Sequence, residues 1–277
     1  MTIAQEALRG LVWLLLLLVL FIAGLVSFGI WHDQWSGYNA SLSVGDGSCN
    51  IAVIPVQGEM NTTSYVDEYG FESGVALDEV EYWIKTAEED ASIKGILFVT
   101  DSPGGSPYAG EALSNDLLRT PLPTAVVVQD IAASSAYWMA TGADTIIASA
   151  LSSVGSIGVT ASYLDRSQQN SDSGLYYVEI ASGPYKDSGD PDKYLSEEER
   201  EIIQKDVDAM SEKFIQSVAD HRKLSVEAVT ALADGSTMLG EAALTEGLID
   251  AIGDKETARA WFASTLQIDA EDVIFCE

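Results

Sequence analysis

The sequence is poor in positive charge. Its 277 residues include 14 Lys and Arg against 43 Asp and Glu, which gives a formal net charge of −29. Nucleic acids and anionic lipid surfaces are bound through clustered Lys and Arg, so this composition argues against both as partners. A hydrophobic fraction of 47% excludes a disordered acidic protein and predicts a folded core.

Histidine is almost absent. His32 follows an apolar run and His221 ends a helical pattern, and both are interpreted as solvated residues. A Ser-His-Asp triad is therefore nearly excluded, and no cluster of His, Cys and carboxylates has metal-ligand spacing. Among hydrolytic mechanisms, paired carboxylates and a serine activated by lysine remain. No cofactor is expected.

Cysteine is equally scarce. Cys49 and Cys276 bracket most of the chain, and two cysteines without nearby histidine do not make a zinc site. In an oxidising compartment a single disulfide between them is the natural interpretation. Two unrelated free thiols are the alternative.

One long apolar run is present, over residues 11–30. At 1.5 Å per residue it spans about 30 Å, which matches one bilayer core and predicts a transmembrane helix; a cleaved signal peptide is the alternative. Arg9 precedes the run and the next base is Lys85, so the positive-inside rule places the N-terminus in the cytoplasm. The sequence therefore predicts a single-pass protein of the cell membrane. Its segments are a cytoplasmic N-terminus (1–10), a membrane helix (11–30), a tether (31–48) and an extracytoplasmic domain (49–277).

Short apolar runs alternate with helical patterns in the remaining sequence. Such βα units predict an α/β fold with a parallel sheet. The predicted strands are 49–58, 95–100, 124–129 and 144–149, and the predicted helices lie near 78–90, near 107–118 and from about 134.

A polar loop region, 161–196, precedes a long predicted helix over 196–222. Ser196 and Glu199 form a capping-box pattern at its start. An apolar stripe on this helix repeats at three- and four-residue steps and is predicted to face the core. Its members are Ile203, Val207, Met210, Phe214 and Val218.

Three segments rich in glycine and serine follow three consecutive predicted strands: 101–106, 132–137 and 155–159. In a parallel α/β sheet, the carboxyl ends of the strands converge on the site. Adjacent glycines let backbone N–H groups approach a ligand, as an oxyanion hole requires. Each segment taken alone is better explained as a turn or a helix cap.

Taken together, these segments resemble the signal peptide peptidase (SppA-type) serine proteases, over about residues 50–255. Five motifs in order carry the resemblance: Ser102-Pro103-Gly104-Gly105, Ala132-Ala133-Ser134 with Tyr137, Gly155-Ser156-Ile157-Gly158-Val159, Gly183-Pro184-Tyr185-Lys186-Asp187, and 239–250. The resemblance implies a ClpP/crotonase-like ββα superhelix of parallel strands and helices, after one N-terminal membrane helix.

The resemblance also implies a catalytic apparatus. Ser134 is expected to be the nucleophile, Lys186 the general base and Ser156 a hydroxyl that orients the lysine. Gly105 and the N–H of Ser134 are the expected oxyanion donors, with Gly104 and Ser135 as the neighbouring alternatives. The family usually has Ser-Gly-Gly-Tyr where this chain has Ser134-Ser135-Ala136-Tyr137, which leaves open whether Ser134 or Ser135 is aimed at the substrate.

The function implied is that of a membrane-anchored serine endopeptidase, assembled as a homo-oligomeric ring. Its substrates would be released signal peptides or other apolar membrane-associated peptides. Two alternatives stay open: a catalytically inactive membrane scaffold that binds peptides, and a crotonase-like acyl-CoA enzyme. The strongly negative charge counts against the second, because the phosphates of CoA need a cationic surface.

Overall fold

A computed structural model of the chain describes residues 48–64 and 74–276. The predicted membrane helix over 11–30 and nearly all of the predicted tether lie outside these residues. Within the described ranges, no helix has the length and apolar character that crossing a membrane requires.

The described residues form nine strands and eight α-helices. The strands are β1 (Ile51–Asn61), β2 (Val75–Ala76), β3 (Gly95–Gly105), β4 (Thr124–Ala133), β5 (Thr145–Ala148), β6 (Ser153–Gly155), β7 (Thr237–Leu239), β8 (Ala251–Ile252) and β9 (Phe275–Cys276). The helices are α1 (Leu77–Glu89), α2 (Pro107–Arg119), α3 (Ser135–Ala140), α4 (Ser167–Asp172), α5 (Glu197–Arg222), α6 (Val226–Leu232), α7 (Gly240–Thr245) and α8 (Lys255–Leu266).

The sheet is largely parallel, with the strand order β2-β1-β3-β4-β5-β8. Alternate residues of the central strands enter two separate apolar layers: Ile96 and Phe98 of β3 pack with α1, α2 and α3, whereas Leu97 and Val99 pack against Phe262 of α8. A sheet covered on both faces requires the near-continuous apolar strands seen in the sequence. The predicted α/β class with a parallel sheet is confirmed.

Strands β3 and β4 are longer than predicted. The sequence predicts loops at 101–106 and 132–137, but residues 101–105 and 132–133 belong to strands. The β3–β4 pairing shifts register between Thr100 and Ser102, and β4 changes its other partner, pairing with β5 over Ala125–Val128 and with β6 over Ile131–Ala133. The extensions are strands because their backbones find partners in other segments, which local glycine and serine content does not reveal.

Helix α5 begins as predicted and packs differently. The Ser196–Glu199 capping box is present. Phe214 and Val218 are buried, but Ile203 and Val207 are only partly buried and Met210 is exposed. The prediction that the whole stripe faces the core is therefore wrong for its first half, because only the second half of the helix packs against the core.

The two cysteines meet at the amino end of β1. Cys49 and Cys276 form a disulfide with their Cα atoms 5.2 Å apart. Beside it, β9 pairs in parallel with β1, with Ile51 opposite Phe275. The first and last strands of the described domain are thus joined both covalently and by the sheet.

Candidate active site

Ser134 lies at the sharp turn between β4 and α3. Its backbone has φ 53° and ψ −125°, a combination that costs a residue with a Cβ about 1–3 kcal/mol. The Trp138 N–H donates to the Ser134 carbonyl oxygen at 2.9 Å and begins the helix. A serine on such a strand–turn–helix corner presents its hydroxyl at the end of the sheet, as the nucleophiles of many hydrolases do.

Helix α3 holds this corner rigidly. All six of its residues are buried. The Tyr137 hydroxyl donates to the Leu248 carbonyl oxygen at 2.9 Å, and the Trp138 ring stacks on Phe214 of α5 with centroids 4.5 Å apart. Side chains locked in this way keep the strained Ser134 backbone in place.

The Ser-Pro-Gly-Gly segment packs directly against Ser134. A Cβ on Gly104, whose φ is +96°, would lie 2.6 Å from the Ala133 carbonyl oxygen and 2.8 Å from the Ser134 Cβ. Only glycine allows β3 to approach so closely. The next residue, Gly105, is exposed at the same edge. The structure therefore brings together the predicted nucleophile and the predicted oxyanion segment.

Ser156 occupies the matching corner of the neighbouring strand. Ala133 of β4 is the register partner of Gly155 of β6, so Ser134 and Ser156 are the next residues on two adjacent parallel strands. Ser156 also has a positive φ, 52°. Its Oγ donates to the Gly235 carbonyl oxygen at 2.8 Å. Because that hydroxyl hydrogen is engaged, the oxygen lone pairs are left to accept a hydrogen bond.

The backbone N–H of Ser134 departs from its predicted role. It donates to the Gly155 carbonyl oxygen at 2.8 Å, whereas the prediction needs it free to stabilise an oxyanion. The bond arises because β6 continues the sheet beside β4 up to this residue. Of the two expected donors, Gly105 is the one at an exposed position.

Ser135 is buried between α2 and β1. It is 2% exposed, and its hydroxyl donates to the Met60 sulfur at 3.8 Å. A Cβ on Gly110 of α2 would lie 2.7 Å from the Ser135 Cβ, so α2 covers this side chain closely. The geometry favours Ser134 over Ser135 as the reactive hydroxyl.

Lys186 lies in an exposed turn of the polar region 161–196. Its backbone N–H donates to the Gly183 carbonyl oxygen at 3.3 Å. Among the described residues, its amine has no hydrogen-bond or ion-pair partner, neither serine included. The residues that the structure describes do not provide the burial that a lysine general base requires.

The carboxylates near Lys186 face elsewhere. A general-base role requires that Asp187 and Asp190 not neutralise the amine, and both accept a hydrogen bond from the Tyr177 hydroxyl, at 2.8 Å and 3.4 Å. These bonds and the two negative charges raise the pKa of Tyr177 above its ordinary value. The turn therefore keeps its acids paired with a neutral hydroxyl.

One feature of the site that the sequence analysis did not identify is the turn that binds the Ser156 hydroxyl. The turn at Asp234-Gly235-Ser236, in which the Asp234 carboxylate accepts from the Ser236 N–H at 2.8 Å, presents the carbonyl that binds Ser156. An Asp-Gly-Ser triplet is a recognisable turn signal, but nothing local connects it with Ser156.

His221 is not the solvated residue that was expected. Its Nδ1 lies 3.0 Å from Thr141 Oγ1 and 3.3 Å from Ser114 Oγ, between α5, α2 and the end of α3. Burial lowers its pKa from the ordinary value. The histidine is a structural contact behind the nucleophile helix, because α5 turns this face onto the body.

Comparison with known proteins gives a family match. The model of peptidase family S49 matches residues 117–269. A protein of Methanocaldococcus jannaschii is 38% identical over 173 residues, which are 62% of this chain and 56% of that protein. The chloroplastic serine protease SPPA of Arabidopsis thaliana is 29% identical over 234 residues, 83% of this chain and 34% of that enzyme. The chain thus spans about half the length, or less, of these curated relatives.

Among solved structures, a mutant ClpP1 of Listeria monocytogenes aligns with 73% of this chain and 91% of its own. The TM-score is 0.48 and the sequence identity 15%.

Proposed function

This chain belongs to peptidase family S49, and we propose that it is a serine endopeptidase with Ser134 as nucleophile and Lys186 as general base. The observation that carries the proposal is the Ser134 corner: a strained serine between strand and helix, with Gly104 packed against it. Strain of this kind persists where function needs a side chain aimed in one direction.

The polar loop region 161–196 contains two lysines, Lys186 and Lys193. Lys193 donates to Glu199 at 2.6 Å and to Glu179 at 3.4 Å. These carboxylates raise the pKa of Lys193 and keep it protonated. A general base must be neutral to accept a proton, so Lys193 is unsuited to the role, and Lys186 remains as the candidate base of this region.

The reaction proceeds by acyl transfer. The neutral Nζ of Lys186 takes the proton of Ser134 Oγ as that oxygen bonds to the peptide carbonyl carbon, and the carbonyl electron pair moves onto its oxygen. The Gly105 N–H stabilises this oxyanion. Collapse expels the amine, which receives the proton from Lys186, and water then hydrolyses the acyl-enzyme by the same proton path.

Ser156 fits the role of orienting the lysine. Its hydrogen is held by Gly235, so its oxygen accepts from a lysine N–H without adding charge. A neutral hydroxyl does not favour the charged form of the amine as a carboxylate does. In this proposal, the Lys186 amine lies within hydrogen-bond distance of the hydroxyls of Ser134 and Ser156, which stand on adjacent strand ends.

Exposure of Lys186 in one chain means that something must cover it. Packing by a second copy of the chain or by bound peptide would remove water from the amine and favour its neutral form. We therefore include a homo-oligomer in the proposal. The apolar run at residues 11–30 adds a membrane anchor to it. The proposed substrates are released signal peptides and other apolar membrane-associated peptides, cut outside the cytoplasm.

The test uses the full chain with a serine-directed phosphonate and a peptide substrate. Ser134→Ala and Lys186→Ala are each expected to lower kcat by about 1000-fold or more, since a nucleophile and its base act as a unit. Peptide mapping should place the phosphonate on Ser134 in the wild type and in Ser135→Ala. Lys205→Ala, an exposed lysine of α5, is the matched control.

The two inactive variants also locate the dyad. Mixing Ser134→Ala with Lys186→Ala under subunit exchange restores activity if the lysine acts across chains and leaves it absent if it acts within one. Near-wild-type turnover in Lys186→Ala would overturn the dyad itself.

A further inference from the structure

The segment that carries Lys186 has little regular structure. Among the described residues, none between 175 and 196 belongs to a helix or strand, and most of the side chains there are exposed. A segment that buries so little apolar surface depends on polar contacts for a defined conformation. The position of Lys186 therefore rests on whichever contacts hold this segment.

Glu199, in the first turn of α5, makes the most contacts of that kind. Its Oε1 accepts from Lys193 Nζ at 2.6 Å and from Ser188 Oγ at 3.3 Å, and its Oε2 accepts from the Ser196 N–H at 3.0 Å. All three donors belong to the segment or its junction with the helix. Ser188 is two residues from Lys186, so one carboxylate ties the lysine turn to the long helix.

Burial makes these contacts specific. The Glu199 side chain is 5% exposed and that of Lys193 16% exposed. A buried carboxylate is tolerated only where its charge is balanced and its lone pairs are bonded. Other conformations of the segment would leave Glu199 buried without its partners, so the carboxylate selects the conformation observed.

We propose that Glu199 is a positioning residue for the Lys186 general base, acting through Ser188 and Lys193. The inference rests on the proposed Ser134/Lys186 dyad and adds to it the device that sets the lysine turn. Lys193 is then a fixed counter-charge for Glu199. Glu199 itself does not contact the substrate.

The experiment compares Glu199→Ala with Glu198→Gln in the full chain. Glu198 is the exposed neighbour on the same helical turn, and among the described residues it makes no hydrogen bond or ion pair through its side chain, so its variant loses only a negative charge. Glu199→Ala is expected to lower kcat by about 10- to 100-fold with KM changed less than about threefold, because a misplaced base affects the chemical step. Glu198→Gln is expected to stay within about twofold of wild type.

A second variant isolates the loop contact. Ser188→Ala removes the hydroxyl that joins the lysine turn to Glu199 and leaves the helix cap and the ion pair intact; kcat is expected to fall by about 3- to 10-fold. This variant decides the matter if Glu199→Ala does not fold, as circular dichroism would reveal. The rate of phosphonate labelling of Ser134 should fall in parallel with kcat, which a general loss of stability would not cause below the melting temperature.

The outcomes separate the two proposals. If Lys186→Ala is inactive while Glu199→Ala and Ser188→Ala match Glu198→Gln in kcat, the positioning role is overturned and the dyad stands. If Lys186→Ala is active, the dyad fails first. A rise in KM at unchanged kcat in Glu199→Ala would assign the residue to substrate binding and also overturn the inference.

Discussion

Ser134 and Lys186 lie in regions of the molecule that are built differently. Around the serine, three parallel strands and a buried helix are fastened by backbone hydrogen bonds and close glycine contacts. Around the lysine, an exposed segment is held by side-chain contacts, chief among them Glu199 with Lys193. The serine half of the proposed site is held by the sheet and its buried helix, whereas the position of the lysine half depends on a few polar side-chain contacts.

The contrast predicts that replacing glycine by alanine has a large effect near Ser134 and a small effect in the exposed segment. Gly104→Ala places a methyl group 2.6 Å from a backbone oxygen at a positive φ. We expect a loss of about 2–3 kcal/mol in unfolding free energy and of about 100-fold or more in kcat. Urea unfolding and peptide hydrolysis measure the two effects.

Gly183→Ala is the matched control in the exposed segment. A Cβ there meets nothing within 4 Å, so stability should change by less than about 0.5 kcal/mol. A control that destabilised as much as Gly104→Ala would erase the distinction between the two regions.

Removing the disulfide tests whether a loss of stability in the sheet also lowers catalytic activity. Replacing Cys49 and Cys276 together by Ser removes a cross-link over 227 positions and is expected to cost about 3–5 kcal/mol of stability. The bond lies at the amino end of β1, and Gly105 pairs with Met60 at the other end of that strand. Activity measured below the melting temperature should therefore be unchanged.

Reduction of the wild-type protein provides the control for this variant. Its melting temperature should fall to that of the double-serine protein, and thiol titration of denatured, unreduced wild type should find no free thiol. Two free thiols would contradict the bond.

The smallest expected effect separates the regions by pH. Burial lowers the pKa of His221, opposed by Asp220 and assisted by Lys213, so the unfolded chain binds its proton more readily. The stability associated with His221 is present above about pH 6.5 and is lost as the pH falls below that value. His221→Gln should flatten the decline in melting temperature between pH 7 and 5.5, by roughly 1–3 °C.

The exposed segment should not respond over the same interval. Lys193 and the Ser196 N–H lower the pKa of Glu199, so its contribution is present above the unfolded value near pH 4.3 and is lost below it. Limited proteolysis within 175–196 should be constant from pH 7 to 5.5. Equal pH dependence of melting in His221→Gln and wild type would remove His221 from this account.

Much of the fold followed from local pattern. The runs GILFVT and TAVVVQ are buried strands, Ser196 caps its helix, and the resemblance to SppA-type serine proteases is confirmed by the family match. What local pattern missed was decided by distant partners: strand pairing at Asp101–Gly105, the burial of His221, and the end of the core part-way along α5.

The amino-acid sequence by itself determined the parallel α/β architecture, the approximate starts of four of the eight described helices and the identity of the candidate site residues. These depend on hydrophobic runs, caps and motifs that neighbouring residues define. The tertiary structure alone decided that Ser134 and Ser156 stand side by side on adjacent strand ends and that Lys186 is exposed. The reason is physical: which strands pair, and in which register, depends on the total area and hydrogen bonding gained by segments far apart in the chain. No window of neighbouring residues contains that sum.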